Sequence, residues 1–116
     1  MKRFLTFSLF TVSAFLVGTA SSFAHYPLLD CQYTTHQESN QQNNNEIVSC
    51  EAGFSDRSKA PNVVMEVFSE DDEVLAQGHT DDKAMFQFDR PDGAFFIIMD
   101  AGPGHVLEIS DEDIVE

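Results

Sequence analysis

Four histidines and twenty carboxylates are the side chains here that could hold a cation, and their spacing draws attention to the two ends of the chain. His105 follows Asp100 across Ala101-Gly102-Pro103-Gly104, where two glycines and a proline can bend the backbone sharply. A carboxylate and an imidazole can then be aimed at one point. His25 follows Ser22-Phe23-Ala24, a small-x-small cleavage motif, so cutting there makes it the first residue of the mature chain. Cleavage after Ala20 is the alternative. A terminal histidine differs from an internal one because its α-amine and ring Nδ1 close a chelate around a single ion. Copper(II) and nickel(II) favour such nitrogen-rich, tetragonal sites. His105 would add a third nitrogen, and Asp100 or a water the fourth donor. His79 is a further candidate ligand if its turn lies at the same end of the fold, and His36 is read as a bystander.

Each of these features also has a plainer reading. His25 can be an ordinary frayed terminus, and Asp100 can simply cap a glycine-rich turn. The run Glu70-Asp71-Asp72-Glu73 lacks the alternating spacing and the glycine of a calcium loop, and reads as a solvated hairpin tip. No Ser or Thr sits in a nucleophile-elbow motif and the cysteines are expected to be paired, so no enzyme activity is expected.

The elements that must position these residues follow from composition and pattern. Lys2, Arg3, the apolar run from Phe4 to Gly18 and the motif ending at Ala24 predict a secretory signal peptide over 1–24. Its removal leaves a domain of 92 of the 116 residues, 25–116, and takes the formal net charge of −14 to −16 by removing two cations. Only Arg57, Lys59, Lys83 and Arg90 then face the twenty carboxylates, which makes nucleic acid and anionic membrane surfaces poor partners. No second apolar stretch of about 20 residues follows, so no membrane span is expected after signal removal. A domain this small gains little stability from its core alone. Cys31 and Cys50 predict one disulfide, closing a loop of about 20 residues and contributing roughly 3 kcal/mol. The setting is therefore periplasmic or secreted.

Alternation predicts strands over Leu28–Tyr33 and Glu46–Phe54, with Cys31 and Cys50 on their inner sides. Between them, 34–45 is polar throughout and predicts a mobile loop. Further strands are expected over Val63–Phe68, Val74–His79, Ala84–Phe88 and His105–Ile109. Arg90-Pro91-Asp92-Gly93 has the residues of a tight turn. Phe95-Phe96-Ile97-Ile98-Met99 reads as a central strand buried on both faces. Seven short strands at intervals of about ten residues predict an all-β, antiparallel, Ig-like sandwich.

The run Val63-Val64-Met65-Glu66-Val67-Phe68, then Glu73 to Asp81, Phe86-Gln87-Phe88 and Pro91-Asp92-Gly93-Ala94-Phe95, resembles the carboxypeptidase regulatory-like or transthyretin-like β-sandwich family. That resemblance implies a secreted β-sandwich used for binding or scaffolding, with no catalytic residues. Lys83-Ala84 stands where the family commonly has Asp-Gly. In its terminal histidine and late Asp and His, the mature chain also resembles the histidine-brace proteins, in particular small periplasmic copper-resistance carriers. Their Asp-x-His spacing is two, whereas Asp100 and His105 are five apart. These features together predict an exported metal-binding accessory or carrier for copper, or else nickel or cobalt, delivering to a membrane transporter or a metal chaperone. A metal-free protein-interaction domain is the alternative, and a small metal-dependent redox enzyme ranks last.

Overall fold

Two antiparallel sheets share one core. The computed structural model describes residues 25–35 and 46–116. The expected signal segment, His36 and positions 36–45 of the expected polar loop lie outside them. The strands are β1 (Pro27–Thr35), β2 (Glu46–Phe54), β3 (Val64–Ser69), β4 (Val74–His79), β5 (Met85–Asp89), β6 (Phe95–Asp100) and β7 (Val106–Ser110), followed by a 3-10 turn over Asp111–Asp113. One sheet has the order β1-β2-β5 and the other β4-β3-β6-β7.

Period-two alternation determines what each sheet contributes to the core. Val48, Cys50, Ala52 and Phe88 point inward from the first sheet, and Met65, Val67, Phe95, Ile97 and Met99 from the second. Cys31 and Cys50 are direct register partners joined by a disulfide, with Cα atoms 4.0 Å apart. The bridge thus sits inside the core, on the side that alternation predicts.

Besides one-residue shifts that leave Val63, Ala84 and His105 just outside β3, β5 and β7, three features depart from the expected pattern. β6 is an interior strand, but only Phe95, Ile97 and Met99 are buried, while Phe96 and Ile98 are half-exposed on the outer face. A run of five apolar residues is therefore not evidence of cover on both faces. Thr34 and Thr35 belong to β1, pairing with Ile47 and Glu46, because a strand continues as long as its partner does. Finally, Arg90 to Ala94 is an open bend, since it carries the chain from one sheet to the other and does not close a hairpin.

The Lys83-Ala84 turn is built around Asp81. Asp81 Oδ1 accepts the backbone N–H groups of Lys83 and Met85, both at 2.9 Å. Ala84 takes a left-handed φ of 62°, at the position where glycine is usual, and is fully buried. The connections 55–63, 80–84 and 101–105 collect with residues 25–26 at one end of the two sheets, and 69–73, 90–94 and 111–116 collect at the other.

Candidate functional site

The end carrying the histidines is closed by backbone hydrogen bonds and small side chains. Ala52 N–H donates to the Ala84 carbonyl at 2.9 Å, and Ala60 N–H to that of Ala52 at 3.0 Å. Buried Thr80 ties the entry of β3 to the exit of β4: its hydroxyl donates to the Ala60 carbonyl at 2.7 Å and accepts the Val63 N–H at 2.9 Å. Small residues leave the histidines above them at the surface.

His105 lies in the β6–β7 hairpin, shaped by Gly102 and Gly104 at φ of 111° and 77°. Its N–H donates to the Gly102 carbonyl, and its own carbonyl accepts the Ala101 N–H, both at 2.9 Å. The ring meets Phe54 of β2 edge-on, with centroids 6.2 Å apart. Its Nδ1 is 3.1 Å from the Pro103 carbonyl oxygen. A carbonyl only accepts, so Nδ1 is the donor in this contact and Nε2 is the ring's other nitrogen.

His25 approaches from the other sheet. Pro27 pairs with Phe54, the residue that touches His105. Tyr26 fixes the approach: its carbonyl accepts the Ser55 N–H at 2.9 Å, and its N–H donates to the Ser55 hydroxyl at 3.2 Å. His25 Nε2 then lies 3.7 Å from Asp56 Oδ2. Asp56 Oδ1 accepts from the Ser58 hydroxyl and from its N–H, and these bonds hold the Asp56 carboxyl below the usual carboxylate range, with a smaller contribution from His25. The ring of His25 therefore faces a carboxylate through Nε2, which leaves Nδ1 as its other nitrogen.

Asp100 and His79 belong elsewhere. Asp100 pairs with Val106, so His105 is one step beyond that pair and on the opposite face of the ladder. Asp100 lies on the outer face and caps the hairpin, accepting the Gly102 N–H at 2.9 Å. His79 is on that same face, but Val64 pairs with both residues and stands between them. Two interstrand spacings, roughly 9–10 Å, separate their backbones. Of the four expected ligands, His79 and Asp100 therefore share the outer sheet face, whereas His25 faces Asp56 and His105 packs on Phe54, the register partner of Pro27. Among the described residues, no three His, Cys, Asp or Glu side chains form a metal-holding group.

Sequence reasoning missed Asp56 and Phe54. The Asp56-Arg57-Ser58 pattern signals a side-chain-capped turn, but nothing in the sequence places it beside His25. No protein-family model, curated protein or solved structure matches the chain. Among the described residues no helix is long and apolar enough to cross a membrane.

Proposed function

We propose that this chain is an exported metal-binding accessory or carrier on a small Ig-like sandwich, with copper(II) its preferred ion and nickel(II) or cobalt after it. One observation carries the reading: the segment bearing His25 and the ring of His105 meet on the same residue, Phe54. The donor set fits. His25 turns Nε2 toward Asp56, which leaves Nδ1 to close a ring with an α-amine freed by cleavage before it. His105 has its Nδ1 engaged by Pro103, which leaves Nε2 as a donor. An imidazole whose other nitrogen is engaged by a carbonyl, as that of His105 is, is characteristic of metal-bound histidines, and His25 Nε2 lies within ion-pair range of the Asp56 carboxylate. The amine is the third nitrogen, so three clustered side chains are not required. The disulfide suits an oxidising compartment such as the periplasm.

The test is a Cu(II) titration of the protein exported from cells, alongside a variant carrying one extra residue before His25. Mass spectrometry first establishes the terminus. The mature form should bind one ion, lose it as pH falls below about 6, and the extended form should not bind. Equal affinity of the two forms would remove the terminal chelate. Retention of affinity in His105→Ala would remove the second histidine. The interaction-domain alternative predicts a protein partner retained after metal is stripped.

A further inference from the structure

We infer that the free edge of β4 receives an extended, basic-flanked strand from a partner protein, which pairs with it as a fifth strand of the four-stranded sheet. This rests on observations independent of the histidines near Phe54. β4 is the terminal strand of its sheet, and among the described residues no backbone group pairs with its outer edge. Exposed edges are commonly protected by charge or proline. Val74-Leu75-Ala76-Gln77-Gly78-His79 has neither, in a chain where 22% of residues are charged, and its one irregularity is a bulge at Leu75, which has no register partner in β3. Val74 and Leu75 are 53% and 43% exposed.

The occupant is specified by what brackets the strand. Exposed Glu70, Asp71, Asp72 and Glu73 precede it, and exposed Asp81 and Asp82 follow it. Within 69–84 the sequence has a single cation, Lys83. A second copy pairing here would set carboxylates against carboxylates in either direction, so self-association is opposed. A strand with apolar residues in its middle and Lys or Arg at both ends is complementary over its whole length. A shallow cavity of about 290 Å³ on the β3–β4 hairpin, with Glu66, Gln77 and His79 in its lining, adds to this. An incoming strand sits one spacing from β4 and two from β3, roughly 5 and 10 Å. A Lys or Arg of that strand opposite Gln77 can extend over β4 toward Glu66.

The probe is the peptide Lys-Arg-Val-Lys-Val-Thr-Val-Arg-Lys, blocked at both ends and titrated into the exported protein with amide NMR as the readout. Shifts should concentrate on Val74–His79 and Glu66, and affinity should fall with added salt, which screens charge beyond about 10 Å at 0.1 M. Changing Leu75→Lys together with Gln77→Lys should weaken binding at least about tenfold, through like-charge contact. A second variant leaves the strand alone and neutralises the hairpin tip: Glu70→Gln, Asp71→Asn, Asp72→Asn and Glu73→Gln. Asparagine tolerates the positive φ of Asp72, so the fold should persist while affinity and salt dependence both drop. Shifts centred on β5 or β7 would overturn the assignment. So would a dimer formed through β4, equal binding of the peptide with Glu for each basic residue, or no shifts up to about 1 mM peptide.

Discussion

The two ends of the sandwich are closed by different means. At the end carrying Arg90, large side chains do the closing. Phe88 and Phe95 meet edge-on at 5.8 Å, and the Arg90 guanidinium lies 3.9 Å from the centre of the Tyr33 ring while pairing with Glu46 and Glu116. The hydrogen bond to Glu46 is the main reason the Arg90 pKa is raised, and burial is the main reason the Tyr33 hydroxyl is raised. The segment after β7 also turns in here, burying Ile114 and pairing Val115 with Gln32 of β1. At the histidine end, Ala52, Ala60, Ala84 and Thr80 close the core with backbone bonds, and the imidazoles are left partly or wholly exposed. One end uses its chemically capable side chains for stability. The other leaves them at the surface.

Substitutions should separate the two ends, and the largest effect is expected from Phe95. It is 1% exposed, and Phe95→Ala should cost about 3–5 kcal/mol in chemical denaturation. Against a total of roughly 5–15 kcal/mol that is a large share, and a cost under about 1 kcal/mol would mean that the aromatic end does not hold the fold. Arg90→Ala should cost less, about 1–2 kcal/mol, because its ion pairs are partly solvated and its contact with Tyr33 is a surface cation–π interaction. Arg90→Lys should recover only part of this, since an ammonium cannot reproduce the planar fork.

His105→Ala should change stability by less than about 1 kcal/mol, because the ring is half-exposed and makes one aromatic contact. The same variant should abolish one-to-one Cu(II) binding by the mature protein. A large loss of stability with binding intact would reverse the roles assigned to the two ends. The smallest effect concerns Asp56. Ser58→Ala removes the hydroxyl bond that contributes most to its depressed pKa, so its carboxyl resonance should titrate closer to the usual range. A depressed folded pKa favours folding above the unfolded value and loses that contribution as pH falls through the folded one. Ser58→Ala should therefore narrow the stability gained between acid and neutral pH. An unchanged Asp56 titration would show that Ser58 does not set its charge.

Much of this fold was legible residue by residue. The limits of β2 and β4 agree with those expected, and Val48, Cys50, Ala52 and Phe54 face the side that their alternation assigns. Phe96 and Ile98 show where such reading fails. Apolar character makes burial favourable but does not supply the layer that would cover them. Arg90-Pro91-Asp92-Gly93 has the residues of a tight turn but forms an open bend, because the chain there crosses from one sheet to the other. Less of the candidate site was legible. His25 and His105 could be named from their types and from a cleavage motif, whereas Asp56 and Phe54 became relevant only through pairing between distant segments.

The sequence by itself determined the strands, the inward direction of the cysteines, and a strongly acidic surface with few cations, because period, covalent chemistry and charge are local properties. Register and the exchange of strands between sheets were decided only in the folded molecule. They brought the histidine segments together on Phe54, and they sent Asp100 and His105, five residues apart, to opposite faces. The physical reason is that pairing Asp100 with Val106 leaves His105 one residue out of phase, and one residue along a strand reverses the face a side chain occupies.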